Sequence, residues 1–268
     1  MKFDLITPMQ TTWTANNALQ CALLSQLAYS EPTAIIDHCL ANGYKECNFF
    51  EVHDTQGFVA SNDDVTVLAF RGTEPNCLRD WLTDAEIAFT TDFGGLVHTG
   101  FLRALDAVWD EFEQHIGTKG PLFVTGHSLG AALATLATAR LQGTGRPLQT
   151  YTFGSPRVGD PTFAAHYEAE HTYRYVNNTD VVTRVATRLT GYTHVGQLRY
   201  FDCAGRVQTN LRFWARFLDD MRGIGDDFIA GKPGLVGDHY IAEYVRLCNA
   251  DAHFLQAQPT TSQAPAPQ

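Results

Sequence analysis

"LFVTGHSLGAALATL", residues 122–136, places a serine between two glycines where an apolar run stops and an alanine-rich run begins. The short run before it, with its β-branched residues, is typical of a buried strand, and the alanines after it favour a helix. Gly126 and Gly130 remove side chains that would collide in a sharp strand-to-helix turn. The pattern predicts Ser128 as a nucleophile projecting from a strained turn that also includes His127.

Strands and helices alternate around this turn. The predicted strands are "VTVLAF" (65–70), "LFVTG" (122–126), "QTYTFG" (149–154) and "TYRYV" (172–176). Helix-length segments separate them, which is typical of an α/β protein with a mostly parallel central sheet flanked by helices. Ligands in such sheets bind beyond the carboxyl ends of the strands, so the four loops that follow these runs are expected to converge.

The segments before this alternation predict a packing helix and an antiparallel start. Apolar residues recur with a helical period through "ANNALQCALLSQLAYSEP" until Pro32. Strands follow with breaks at 55–57 and 62–64. The length of 268 residues suits one domain, predicted at 1–253. Residues 254–268, rich in Pro, Gln, Ala and Thr, are predicted to be a disordered tail.

Composition narrows the classes of partner and the compartment. A formal charge of −10 argues against nucleic acid or an anionic membrane as a partner. Residues 1–17 lack the apolar stretch of a secretory signal, which predicts a cytoplasmic location unless export uses another route. The six cysteines show no C-x-x-C pair, so no metal site is expected; free thiols are favoured over disulfides.

The acid and base are sought after Ser128, because α/β-hydrolases order their triad as serine, acid, histidine. Asp180 is favoured because it closely follows a predicted core strand, and His239 because it lies between a loop and a helix start. The other acids considered are Asp160, expected to be a turn or cap residue, Asp202 and Asp238. The other histidines considered are His166, His171, His194, which is the alternative base and otherwise structural, and His253.

An oxyanion intermediate needs two preorganised donors. The residue after the nucleophile, Leu129, supplies one backbone N–H. Thr73 in "AFRGTEPN" is the candidate for the second, because Gly72 permits a close approach after an earlier strand. The alternative interpretation of this segment is a plain turn.

Taken together, these segments resemble the class 3 lipases, the family of fungal triacylglycerol lipases and feruloyl esterases. The similar segments occur between residues 65 and 245 and include "VLAFRGTE", "VHTGFLRAL", "FVTGHSLGAALATL", "TFGSPRVGD", "YRYVNNTDVVTRV" and "GDHYIAEYV". The resemblance implies an α/β-hydrolase-like single domain with Ser128 as nucleophile, Asp180 as acid, His239 as base, and Thr73 and Leu129 as the oxyanion hole. This chemistry requires no metal or organic cofactor. Fungal members are secreted and disulfide-bonded, but the cytoplasmic expectation is kept here.

Two further segments bear on substrate access. The stretch that corresponds to the family's lid carries Cys77, Leu78, Trp81 and Leu82 on one stripe if it is helical. This stripe predicts either a short lid helix over the crevice or an ordinary packing helix. A second apolar face is either core or a wall of the acyl pocket; its residues are Leu211, Trp214, Phe217, Leu218 and Met221.

The favoured function is therefore a lipase that acts on acylglycerols through an acyl-enzyme. The alternatives are a non-lipid carboxylesterase for short-chain or feruloyl-type esters, and a binding protein that kept the fold and lost the chemistry. The expected partner is a lipid or other ester substrate, with transient contact at a lipid–water interface. The sequence leaves the oligomeric state open.

Overall fold

The computed structural model describes residues 13–73, 88–118, 120–178, 180–184, 191–202, 204–209 and 237–257. Its strands are β1 (Glu46–Val52), β2 (Thr55–Ser61), β3 (Thr66–Phe70), β4 (Phe89–Asp92), β5 (Gly95–His98), β6 (Leu122–His127), β7 (Leu148–Phe153), β8 (Thr172–Asn177), β9 (Gln197–Phe201) and β10 (Val207–Gln208). Its helices are α1 (Ala15–Leu27), α2 (Pro32–Ala41), α3 (Thr99–Ile116), α4 (Leu129–Leu141), α5 (Pro161–His166) and α6 (Ile241–Ala257).

Eight of these strands form one sheet in the order β1-β2-β3-β6-β7-β8-β9-β10. The pairs from β3 to β9 are parallel, and the strands at both edges are antiparallel to their neighbours. Strands β4 and β5 form a separate hairpin. The mostly parallel sheet flanked by helices confirms the predicted α/β-hydrolase-like fold.

Helices cover both faces of the sheet. Strands β3 and β6 are buried on both faces, as parallel strands between helices must be. Because successive strand residues point to opposite faces, Phe123 joins the cluster under α1 and α6, while Leu122 and Val124 join the cluster under α3 and α4. Two cores therefore hold the sheet and fix the strand ends that carry the candidate site.

Helix α4 lies directly after the serine and is buried along most of its length. Its alanines let the helix approach the sheet closely, and they favour helix intrinsically. Its two buried threonines, Thr135 and Thr138, donate hydroxyl hydrogen bonds to the carbonyls of Ala131 and Ala134 within the helix. The start of α4 is thereby held rigidly against the end of β6.

Three boundaries differ from those predicted. Pro32 begins α2 rather than ending α1, because proline suits the first turn of a helix. Residues 55–57 belong to β2 rather than to a break, since Gly57 is needed where Phe50 and the backbone of Ala69 approach it. Helix α6 continues to Ala257, so the predicted tail begins four residues too early, and 258–268 lie outside the described residues.

The described part of the chain contains four free cysteines, Cys21, Cys39, Cys47 and Cys248. The thiol prediction for Cys77 and Cys203 concerns residues outside it. None of its helices has both the length and the hydrophobicity to span a membrane. Within the same residues, no three potential metal ligands of the His, Cys, Asp and Glu types lie together.

Candidate active site

The serine turn has the strained backbone that the sequence predicts. Ser128 lies between β6 and α4 with φ 58° and ψ −126°, a left-handed conformation rare for a residue with a side chain. A Cβ on Gly126 would lie 2.2 Å from the carbonyl oxygen of Gly130, and one on Gly130 would lie 2.4 Å from that of Phe70. Both glycines are therefore required by the close approach of backbone segments.

Ser128 itself is fully buried rather than exposed. The loop after β3 lies against it, since a Cβ on Gly72 would be 3.1 Å from that of Ser128. The Ser128 Oγ atom has no hydrogen-bond partner among the described residues. The hydroxyl is thus free of competing bonds within the part of the chain that the structure describes.

Asp180 and His239 form a buried pair. The Nδ1 atom of His239 lies 3.0 and 2.9 Å from the two carboxylate oxygens of Asp180, and both side chains are almost fully buried. A carboxylate accepts hydrogen bonds, so Nδ1 of the neutral imidazole carries the proton and Nε2 has a free lone pair. Nε2 is buried and unpartnered among the described residues.

Two further groups hold the carboxylate of Asp180. The Tyr244 hydroxyl donates to Oδ2 at 2.5 Å, and the Val182 amide donates to Oδ1 at 2.9 Å. Burial, followed by the charge of Asp180 and its hydrogen bond, raises the pKa of Tyr244 well above its usual value, so the phenol remains a donor. These bonds fix the carboxylate that orients His239.

Gly154, at the end of β7, lies between the two halves of the site. A Cβ there would lie 2.8 Å from Oδ2 of Asp180 and 2.9 Å from Nδ1 of His239. The residue before it, Phe153, accepts a hydrogen bond from the Ser128 amide at 3.0 Å. Ser128 and Asp180, which follow β6 and β8, therefore meet His239 around Gly154, beyond the carboxyl ends of the strands.

The proposed oxyanion donors are also near the serine. Leu129 is the first residue of α4, where backbone N–H groups have no partner within the helix and the helix dipole favours negative charge. Thr73 follows Gly72, whose position against Ser128 brings the loop after β3 to the nucleophile. Both residues thus lie on segments adjacent to Ser128.

Comparison with known proteins agrees with this arrangement. Residues 67–190 match the family model "Lipase (class 3)". A secreted mono- and diacylglycerol lipase A of Penicillium cyclopium is 34% identical over 157 residues, which are 54% of this chain and 51% of that protein. The secreted mono- and diacylglycerol lipase 1 of Fusarium solani is 38% identical over 137 residues, 47% of this chain and 41% of that protein.

A solved structure shares the fold more widely. It is described as a triacylglycerol lipase whose catalytic centre is a serine protease triad, and it aligns with TM-score 0.63 and 26% identity. The alignment covers 87% of this chain and 96% of that one. The chain is therefore similar to the class 3 lipases in sequence and in fold.

The chain spans about half or less of the Penicillium and Fusarium proteins that it matches. Both of those relatives are named as secreted lipases, and this finding makes the predicted cytoplasmic location wrong. The prediction gave the polarity of residues 1–17 more weight than the family resemblance. The polarity of residues 1–17 was therefore a weaker guide to the compartment than the resemblance to secreted fungal lipases.

Several of the other acids and histidines considered have structural contacts. Asp160 caps α5 by accepting hydrogen bonds from the Phe163 and Leu96 amides, as its sequence position predicts. Asp202 accepts backbone amides in the turn after β9. His194 bonds the carbonyl of Thr183 through Nε2. Four candidates make none of the described contacts with the Asp180 carboxylate. They are Asp238, His166, His171 and His253.

Sequence analysis missed several residues that contact the site. Tyr244 and Gly154 are within reach of Asp180, and the Tyr29 hydroxyl bonds the ring of His127 at 2.8 Å. No local pattern marks these residues, because each acts across a long separation in the chain. The predicted lid stripe, Cys77 to Leu82, and the apolar face from Leu211 to Met221 lie outside the described residues.

Proposed function

We propose that this chain is a serine carboxylic-ester hydrolase that acts on acylglycerols. The observation that carries the proposal is the buried Asp180–His239 pair, which leaves Nε2 of His239 unprotonated in the neutral imidazole. A base with a free lone pair and a serine hydroxyl without other partners are what acyl transfer needs. The names of the Penicillium and Fusarium relatives support acylglycerols as the substrate class.

In the first half of the reaction, Ser128 Oγ attacks the ester carbonyl while its proton passes to Nε2 of His239. Asp180 stabilises the imidazolium that forms, through its hydrogen bond to Nδ1. The amides of Leu129 and Thr73 hold the tetrahedral oxyanion. The carbon–oxygen bond to the alcohol then breaks, and the alcohol leaves with the proton from His239.

In the second half, water attacks the acyl-enzyme and His239 takes one of its protons. A second tetrahedral oxyanion forms in the same donor site and collapses to the free carboxylic acid. Ser128 recovers its proton from Nε2. Apart from water, the proposed cycle uses only groups of this chain. We propose a lipid–water interface as the place where long-chain substrate is met.

The test measures initial rates of hydrolysis for the wild type and Ser128→Ala on p-nitrophenyl esters from C2 to C16, then on a triglyceride emulsion. The substitution is expected to reduce kcat by about 10⁶-fold, with a small residue left by the oxyanion hole and binding. Ser61→Ala is the matched control. Ser61 pairs with Thr66, the first residue of β3, and so lies at the opposite end of the sheet from Ser128.

The chain-length profile separates the alternatives. Serine-dependent activity that extends to long chains and to the emulsion supports a lipase. Activity confined to short or aromatic acyl esters replaces it with a non-lipid carboxylesterase. Near-normal hydrolysis by Ser128→Ala contradicts the nucleophile, and no hydrolysis together with no labelling of Ser128 by a fluorophosphonate favours the binding protein.

A further inference from the structure

His127 precedes the proposed nucleophile and uses both ring nitrogens. Its Nε2 lies 2.6 Å from the backbone carbonyl oxygen of His239, and its Nδ1 lies 2.8 Å from the hydroxyl of Tyr29. A carbonyl oxygen only accepts, so Nε2 carries the proton. Nδ1 of the neutral ring is then the acceptor, and Tyr29 donates to it. His127 therefore has the tautomer opposite to that of His239, whose proton is on Nδ1.

We infer that His127 is a positioning residue for ester hydrolysis, which holds the backbone of His239 at a fixed distance from Ser128. The inference rests on the proposed function. His239 is held at two points: Asp180 holds its side chain and His127 holds its carbonyl. Because His127 and Ser128 are consecutive, this second contact links base to nucleophile through one peptide bond and one hydrogen bond.

The hydroxyl of Tyr29 supports the same link from outside the strand. Tyr29 follows α1, which packs on the sheet beside β6, and its oxygen also fills the space where a Cβ on Gly72 would lie, at 2.3 Å. The ring of His127 is thus held between the end of α1 and the turn of His239. A ring fixed at both nitrogens keeps one orientation, which a positioning role requires.

The surroundings of His127 also keep it uncharged. The centroids of the His127 and His239 rings are 4.5 Å apart, so a second positive charge would oppose the imidazolium that forms during acyl transfer. Burial, and next the charge of His239, lower the pKa of His127 well below its usual value. The titratable and charged groups around it are Tyr29 after α1, Arg71 after β3 over the Tyr29 ring, Tyr244 on α6, and the Asp180–His239 pair.

Two substitutions separate positioning from mere core packing. His127→Gln places an amide N–H close to the Nε2 position and keeps a donor for the carbonyl of His239. His127→Asn is shorter and places its amide near the Nδ1 position, where it can bond Tyr29 but not His239. The two variants share chemistry and polarity, and they differ in which neighbour they reach.

We measure kcat and KM on p-nitrophenyl butyrate, with fluorophosphonate titration of active sites and a melting curve for each variant. His127→Asn is expected to lower kcat about 10²-fold, the order of loss that small misplacements cause, with KM nearly unchanged. His127→Gln is expected to recover most of that loss. Equal kcat values for the two variants, or losses that follow the melting temperature alone, would overturn the inference.

A second measurement covers the case in which His127→Asn does not fold. Nitrogen-15 NMR of histidine-labelled wild type reports the tautomer of each ring. We expect His127 as the neutral Nε2–H form between about pH 5 and pH 8, and an Nδ1–H or charged His127 contradicts the inference. If Ser128→Ala abolishes hydrolysis while His127→Asn retains wild-type kcat, this inference fails alone; if the wild type hydrolyses no ester, both proposals fail.

Discussion

The nucleophile turn, residues 126–130, and the acid–base cluster of Asp180, His239 and Tyr244 are held in place by different forces. Steric exclusion fixes the turn, where backbone atoms approach so closely that the flanking positions have no space for a Cβ. Hydrogen bonds fix the cluster, whose acid and base are 59 residues apart. The turn is thus contiguous in the chain, although Gly130 also meets the backbone of β3, and the cluster depends on convergence of β8 with the chain before α6.

This difference predicts different responses to substitution. Where the backbone is tightly packed, any substitution that adds side-chain atoms should lower kcat, whether those atoms are polar or apolar. In the cluster, the loss should grow with the number and charge of the hydrogen bonds removed. Changes at Asp180, Gly154, Tyr244 and His127 test this expectation, beginning with the largest effect after that of Ser128→Ala.

Asp180→Asn should reduce kcat about 10⁴-fold, because an amide donor facing His239 selects the wrong imidazole tautomer. The measurement is kcat on a soluble p-nitrophenyl ester at neutral pH. Asp160→Asn is the matched control, since asparagine caps a helix as well as aspartate does and Asp160 caps α5. If Asp160→Asn lost more activity than Asp180→Asn, the assignment of the acid would be reversed.

Gly154→Ala should lower kcat about 10²-fold by pushing Asp180 and His239 from their positions. Its control is Gly117→Ala, at the end of α3. The two glycines have φ values of 60° and 61°, but a Cβ on Gly117 meets no atom within 4 Å. Both substitutions place a side chain at a similar positive φ, so the difference in kcat reports mainly on the steric contact. Equal kcat values would show that Gly154 is needed only for its conformation.

Tyr244→Phe removes one donor to a buried carboxylate and one acceptor for the Asn177 amide. It should destabilise the fold by about 1.5–3 kcal/mol, the range for hydrogen bonds to charged groups. We expect a loss of kcat smaller than that of Asp180→Asn, because the aspartate charge remains. Urea unfolding and kcat are measured beside Tyr240→Phe, whose side chain is exposed. Equal unfolding free energies in the two variants would contradict a structural role for the Tyr244 bond.

The same contrast explains what the sequence reveals. The nucleophile turn is contiguous, so its glycines and its neighbouring strand and helix predict it directly. The parallel strands are equally visible, because burial on both faces demands continuous apolar runs. Asp180 and His239 are found by chain order and loop position, and the family resemblance assigns them the same roles.

The roles of residues that contact distant parts of the chain are not predicted from the sequence in this way. Tyr244 resembles any aromatic residue on a helix, and only the packing of α6 brings its hydroxyl to Asp180. Gly57 resembles a turn residue, but the approach of Phe50 explains it within β2. Pro32 is read as a stop although it begins a helix. For Tyr244 and Gly57 the deciding contact joins segments whose proximity the sequence does not encode locally, whereas Pro32 is a local ambiguity, because proline suits both a turn and the first turn of a helix.

The smallest expected effect concerns stability against pH at His127. Its pKa is lowered in the folded protein by burial and then by His239, whereas in the unfolded chain it lies near the usual value of about 6.5. Below that pH, His127 is protonated in the unfolded chain but stays neutral in the folded protein. The free energy of unfolding therefore falls as the pH drops. The slope from this one group approaches at most about 1.4 kcal/mol per pH unit.

His127→Gln removes this titration while keeping a donor toward His239. Unfolding free energies of wild type and variant, measured by urea at intervals between about pH 7.5 and pH 5, should therefore diverge in slope below pH 6.5. Other titratable groups, including Asp251, whose pKa is raised by burial, are present in both proteins and cancel in the difference. Parallel slopes would mean that His127 takes up a proton as readily in the folded site as in the unfolded chain. The ring of His127 would then not stay uncharged beside His239, as the positioning role requires.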